Sequence, residues 1–444
     1  MKRIKKANYR WYSFIIVILI ILMFLVSLPP VTQAQSTTVK EPKITKEQRD
    51  DGLTIVLRDQ SLGQQEIQHL TLILKTGFSH DPVGQSGLTN LANEIIYYLL
   101  ERTSALRVNF QTYADYSTFH FVVTRSGFNQ FCNQLDQIIR LDALLFYDLC
   151  NDLIRYHLNL PQAPELKAIS QLYSLVYGPN HPYNSIFNTN YDRLDITEVN
   201  KWFRQIYKPN NLIIATSMKL PDDFLRKPAG RDLMEAVILN EIPPAASNAI
   251  FELKWAPVHD NIATVCLGFK TSKFGEEGVL ATLLLQKYLD QRLWKVIRED
   301  NGLSYDPEVY YQLNGTYSAP MLLVSVHTLM ENTGTVINLI LTEFKKIATE
   351  GIPENEINKI MERERRQKEL MEKDPESTIK AAALFGYTGQ NWLINQEDYF
   401  NQLTAESKVV TQIVAAGLAH LKISVAGPAD TVQYLNNVTL ELNN

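Results

Sequence analysis

Twice along this chain a run of apolar residues leads through a glycine-punctuated loop into a helical pattern, and the two occurrences stand roughly 190 residues apart. In the first, Leu70 to Thr76 reads as a buried strand, Gly77, Pro82, Gly84 and Gly87 mark the loop, and helical spacing begins at Leu88. In the second, the strand Ala263 to Thr271 passes through Gly275 and Gly278 into a helix at Val279. A solenoid unit is far shorter than this interval, so the pattern predicts a duplicated domain. Between the copies, residues 221–247 contain Pro221, Pro228, Gly230, Pro243 and Pro244 and keep neither helical nor strand period, as a linker would. The expected organisation is a first lobe over residues 40–220 and a second over 248–444. Each mixes locally paired strands with grouped helices, an α+β pattern in which a mostly antiparallel sheet packs with helices.

A chain of 444 residues with 45% apolar content can bury a core in both lobes. Its net charge of -5 is dispersed, so no nucleic-acid partner is expected. The only basic cluster is at the start, where Lys2, Arg3, Lys5, Lys6 and Arg10 precede an apolar run from Trp11 to Leu28, then Pro29, Pro30 and Thr32-Gln33-Ala34. Residues 1–36 therefore read as an export signal. The prolines and small residues favour cleavage after Ala34, and residues 11–28 would act as a membrane anchor if it is not cleaved. Either way the body is expected outside the cytoplasm, in the periplasm or another extracytoplasmic space. Cys132, Cys150 and Cys266 form no Cys-x-x-Cys pair and sit among apolar residues, which predicts buried core thiols and no thiolate metal site. An export compartment would still permit one pair to oxidise.

From Leu88 onward, Leu88, Leu91, Ala92, Ile95, Ile96 and Leu99 recur at the spacing of one helical face, while Asn90, Asn93, Glu94 and Tyr97 gather on the other. The stretch Gly87-Leu88-Thr89-Asn90-Leu91-Ala92-Asn93-Glu94 resembles the inverted zinc motif of the insulinase and mitochondrial-processing-peptidase family, normally Gly-Leu-Ala-His-x-x-Glu-His. In that family two histidines bind zinc and the glutamate between them activates water. Here Asn90 and Glu94 stand at the histidine positions and Asn93 at the glutamate position, so every chemical member of the motif is changed. A neutral carboxamide is a weak zinc ligand and cannot take a proton from water near neutral pH. The family's third ligand, a glutamate, would fall between Arg155 and Asn159, where Arg-Tyr-His-Leu-Asn contains no acid. The eight histidines show no helical pairing around a glutamate, and only His157 lies near a lost ligand position.

The resemblance runs along nearly the whole body. Val108 to Thr112 followed by Asp115 to Phe121 is similar to the family's strand pair, and Tyr177-Gly178-Pro179-Asn180-His181-Pro182-Tyr183 with Tyr207-Lys208-Pro209-Asn210-Asn211-Leu212 is similar to two of its turn signatures. In the second lobe, Arg292 to Tyr305 resembles the family's Arg-Leu, Arg-Glu and Gly-Leu-x-Tyr segment, and Gly351-Ile352-Pro353-Glu354 a later helix start. The resemblance implies a duplicated metallopeptidase-like fold and no peptidase activity or cofactor in this chain, with zinc expected only in a partner. It also implies that Arg298 and Tyr305 face a substrate chamber as fixed donors for a peptide carbonyl. Read without the family, Arg298 would cap its helix and Tyr305 would pack at a strand start. The leading expectation is a non-catalytic subunit that pairs with a zinc-bearing homologous peptidase and shares its peptide or unfolded-protein substrate. The alternatives are a stand-alone peptide- or protein-binding scaffold of the envelope and a metallopeptidase with an atypical metal site built on Glu94, His157 or residues not adjacent in sequence.

Overall fold

The computed structural model describes residues 44–58, 64–140, 146–159, 164–187, 189–226, 252–257, 262–272, 276–304, 306–311, 320–435 and 438. The expected export segment, most of the expected linker, and Tyr305 lie outside these residues. Among the described residues no helix is long and apolar enough to cross a membrane.

Two sheets organise the body. The first contains β1 (Ile44–Gln48), β2 (Thr54–Arg58), β3 (Ile67–Leu74), β4 (Arg107–Thr112), β5 (Ser117–Thr124) and β6 (Leu212–Thr216), in the order β1-β2-β6-β3-β5-β4. The second contains β7 (Glu252–Pro257), β8 (Ile262–Lys270), β9 (Glu308–Tyr311), β10 (Met321–Leu329) and β11 (Lys422–Gly427), in the order β7-β11-β8-β10-β9. With β1 set aside, the two orders are the same. In each lobe the opening strand pairs parallel with the closing one, β2 with β6 and β7 with β11, and every other pairing is antiparallel. The duplication expected from the repeated strand and helix is therefore a repeat of whole-sheet topology.

Alternation along the strands sends side chains to two faces. Leu70, Leu72 and Leu74 of β3, with Phe119, Phe121 and Val123 of β5, join the large first core. Against them pack α1 (Leu88–Leu100), α2 (Phe128–Arg140), α3 (Tyr147–Leu158) and α5 (Ile196–Ile206). In the second lobe α6 (Val279–Leu293), α7 (Thr333–Glu350), α8 (Glu354–Lys373), α10 (Gln396–Glu406) and α11 (Val410–Ala419) surround the matching core. Cys132 and Cys150 lie in the first core and Cys266 on strand β8 of the second sheet, all three buried and free.

The outer face of each sheet is covered by a helix from the other lobe. From the first lobe, α4 (Pro164–Tyr177) lays Ala168, Leu172 and Val176 on Cys266, Met321, Leu323 and Ala426 of the second sheet. From the second lobe, α9 (Pro375–Thr388) lays Ile379, Ala382 and Ala383 on Val56, Ile73, Ile213 and Ala215 of the first. Both contacts are close because a glycine removes a side chain. A Cβ on Gly386 of α9 would lie 2.7 Å from Val56 Cγ2, and one on Gly268 of β8 would lie 3.1 Å from Leu172 Cδ2. Burying each large apolar side chain at these seams contributes roughly 1.5–3 kcal/mol.

Candidate functional site

The helix α1 opens on Gly87, whose φ of 100° lies in the left-handed region that glycine enters without penalty. Gly87 has no side chain to cap the first turn, and Asp81 does so from the preceding loop. Its Oδ2 accepts from the Gly87 amide at 2.8 Å, and its Oδ1 accepts from the Thr89 amide and hydroxyl at 2.9 and 2.5 Å. Burial pushes the Asp81 carboxyl up to about 7, outweighing those donors, which favour the charged form. Helix α6 repeats the device: Gly278 has φ 101°, and Glu406 Oε2 accepts from the amides of Gly278, Leu280 and Ala281. The duplication thus extends to how the corresponding helices are started.

The polar side of α1 is not one face, as its spacing had suggested. Asn93 turns inward at the border of the apolar stripe and is fully buried. Its Nδ2 donates to Thr112 Oγ1 and Ser117 Oγ, both at 2.9 Å, and its Oδ1 accepts from the Tyr207 hydroxyl at 2.7 Å. The amide's two N–H groups are both spent and its oxygen is engaged, so Asn93 works as a staple between helix and sheet. Tyr97 is half-buried against Phe110, with ring centroids 5.0 Å apart.

Asn90 and Glu94, one turn apart, turn instead toward α3 and Tyr191. Asn90 Nδ2 donates to Glu94 Oε1 at 2.8 Å, and Glu94 Oε2 lies 2.7 Å from His157 Nε2 on α3. The His157 ring lies flat on Tyr191, with centroids 4.3 Å apart and planes 9° apart, and burial raises the Tyr191 phenol well above its ordinary range. His157, the histidine nearest the lost third-ligand position, thus meets Glu94 directly. This set does not suit a hydrolytic zinc ion. It offers one carboxylate and one imidazole, which are hydrogen-bonded to each other, beside a carboxamide that zinc binds poorly. At the position of the water-activating glutamate stands a buried amide that cannot accept a proton.

On the second lobe, α6 continues into a π-helical turn, Trp294–Glu299, that carries Arg298. The guanidinium carbon of Arg298 lies 4.0 Å from the centre of the Trp294 ring, an arrangement that holds the cation against an aromatic face. Gly302, at φ 65°, ends this segment by donating its amide to the Arg298 carbonyl at 3.0 Å. Arg298 is half-buried. The expectation for Tyr305 falls outside the described residues. Spacing alone does not join Glu94 to His157, because α1 and α3 meet only in the fold; the sequence named the two together through the place of His157 near the lost third-ligand position.

The duplicated α+β body has a peptidase-like fold, and its helix α1 lacks the ligands of the inverted zinc motif that its sequence resembles. Residues 242–364 match the family model described as the peptidase M16 inactive domain. That match lies in the second lobe, and over the described residues the fold is that of the M16-like structures it resembles. It is similar in structure to a protease from Helicobacter pylori, with a TM-score of 0.72 and 14% identity over 87% of this chain and 100% of the other. It is also similar to a peptidase M16 inactive domain from Pseudomonas fluorescens, with a TM-score of 0.68 and 14% identity over 87% of this chain and 98% of that one. The first half of the periplasmic protease PqqL from Escherichia coli gives a TM-score of 0.66 and 12% identity, covering 91% of this chain and 98% of that half. No curated protein matches the chain.

Proposed function

We propose that this chain is the non-catalytic subunit of an envelope peptidase, pairing with a zinc-bearing homologue and contributing substrate-binding groups from its second lobe. The observation that carries this reading is the uneven change between the lobes. The residues of α1 that would make zinc chemistry are replaced and tied into hydrogen bonds, while Arg298 on the second lobe is kept and its guanidinium held on Trp294. An arginine fixed in this way suits a peptide carbonyl or carboxylate. Coverage of the PqqL protease supports pairing, since this chain spans 46% of that full-length chain, the size of one of its halves. The N-terminal export segment supports an extracytoplasmic location, in keeping with the periplasmic location stated for PqqL.

The test is reconstitution with a homologue that carries an intact His-x-x-Glu-His. The homologue alone should cleave peptides weakly and the pair strongly. Arg298→Ala or Tyr305→Phe in this chain should lower the kcat/KM of the pair by roughly 10²-fold, the scale of losing one transition-state donor. A homologue that is fully active alone, or a pair indifferent to both changes, would sink the proposal and favour a peptide-binding scaffold.

A further inference from the structure

The face of the first sheet turned away from α1 carries a second cluster of groups able to bind a metal. The β3–β5 register sets Thr71 opposite His120 and Val122 opposite His69, so the two histidines are diagonal neighbours on the face that α9 covers. Their rings stack at 5.5 Å, with Nδ1 of His69 3.3 Å from Nε2 of His120. Glu376, in the first turn of α9, places Oε1 3.7 Å from the same Nε2. One ligand atom from each of the three residues lies within 4.8 Å of the other two. Around a tetrahedral zinc with bonds of about 2.0–2.1 Å, neighbouring ligand atoms stand roughly 3.3–3.4 Å apart. The His69–His120 separation already has that value, and the Glu376 oxygen, 3.7 Å from His120 Nε2 and within 4.8 Å of the His69 nitrogen, has to move closer.

Protonation and support fit as well. His120 is buried, and Thr71 Oγ1 lies 2.9 Å from its Nδ1. With the ring proton on Nδ1 and donated to Thr71, Nε2 turns its lone pair toward His69 and Glu376, the arrangement of a supported metal ligand. Desolvation pushes His120 down to about 3 and lowers His69, so both rings stay neutral, the form that coordinates metal. Without metal, one imidazole N–H donates to the other ring's nitrogen and the carboxylate is held by Lys380 and Arg107.

We propose that His69, His120 and Glu376 form a structural zinc(II) site that fastens α9 of the second lobe to the first sheet, with water completing a tetrahedron. Two nitrogens and one oxygen favour zinc over magnesium or calcium, which take oxygen ligands. Glu376 is not idle without metal. Lys380 Nζ lies 2.6 Å from Oε1, and Arg107 pairs with Oε2. Both cations are about half exposed, at 47% and 51%, so Lys380 can swing into solvent at small cost while Arg107 keeps the other oxygen. The inference is independent of the subunit reading above, because this site and α1 lie on opposite faces of the sheet.

The experiment is to strip the full chain with a chelator and titrate it with zinc chloride, following bound metal and thermal unfolding. One equivalent should bind and raise the unfolding midpoint. Glu376→Gln and His69→Ala should each weaken binding by at least roughly 10–100-fold, the scale on which even an outer-shell partner counts. Lys380→Ala, which removes only the competing cation, should tighten it, an effect that loss of packing would not produce. Glu376→Gln is half-buried and carries the test even if a His120 variant fails to fold. The proposal is overturned if the folded chain takes up no zinc, the two imidazoles then sharing a proton, or if uptake persists unchanged in both ligand variants. It is equally overturned if uptake disappears in Glu94→Gln or His157→Ala and survives Glu376→Gln, which would place the ion on α1 and revive a metallopeptidase reading.

Discussion

Asn93, at the position that the resemblance gives to a water-activating glutamate, has a structural role. Its amide joins two strand hydroxyls to the Tyr207 phenol inside a dry core, and Ser117 in turn donates to the Thr76 carbonyl at 2.7 Å. Asn93→Ala would strand several buried polar groups and should lower stability by about 1–3 kcal/mol or more in chemical denaturation. A loss below about 0.5 kcal/mol would contradict the staple role. Two residues in the loop before α1 set opposing pH responses. Burial lowers His80 to about 4, so the unfolded chain takes up that proton first, and stability is lost as pH falls from about 6.5 to 4. Burial raises Asp81 to about 7, so the folded chain holds that proton longer, and stability falls as pH rises from about 4 to 7. Between about 4 and 6.5 the two slopes, each at most ~1.4 kcal/mol per pH unit, oppose one another. His80→Asn keeps an acceptor for the Gly77 amide, which now donates to His80 Nδ1 at 3.1 Å, but removes one slope. Relative to the parent, this variant should lose stability as pH rises through that window, and a difference profile that is flat would refute the pairing of the two groups.

At the scale of elements, α1 and α6 are started by the same means, a left-handed glycine and a carboxylate reaching in from elsewhere. Glu406 alone accepts the Gly278 cap amide and two first-turn amides of α6, so Glu406→Ala should cost about 1–2 kcal/mol and fray that turn, visible as faster amide exchange at Leu280 and Ala281. The seam under α9 depends on close approach. Gly386→Ala would push a methyl to 2.7 Å from Val56 and 2.8 Å from Ile213, and should destabilise by about 1–3 kcal/mol as helix and sheet move apart. Unchanged stability in thermal unfolding would mean that the helix is not seated as described. Much at this scale was legible beforehand. The helix starts at Leu88 and Val279 fall where periodicity and turn residues put them, because these signals are local. The inward turn of Asn93 was not, since on a helical wheel it borders both faces and only the hydroxyls of β4 and β5 decide between them.

For the molecule as a whole, the exchange of α4 and α9 makes each lobe incomplete without the other. The outer face of the first sheet presents Val56, Ile73, Ile213 and Ala215, which are dry only beneath α9. A fragment covering residues 44–226 should therefore expose an apolar face and aggregate or bind a hydrophobic dye, while the full chain should unfold in one transition by both near- and far-ultraviolet dichroism. Two separate transitions, or a soluble monomeric fragment with a cooperative melt, would show that the exchanged helices contribute little. What the sequence determined by itself is what neighbouring residues encode: the period of each helix and strand, the punctuation of turns, the duplication, and the replacement of imidazoles and glutamate by amides and one acid. Those replacements take the ligands of the resembled zinc motif out of α1, because ligand strength belongs to the side chain wherever it sits. The tertiary structure alone decided which groups meet across distance. It brought His157 to Glu94, Asp81 and Glu406 to helix starts, His69 and His120 to Glu376, and each lobe's spare helix to the opposite sheet. Such contacts join residues tens to hundreds of positions apart, and nothing in their local patterns records which surface will bury them.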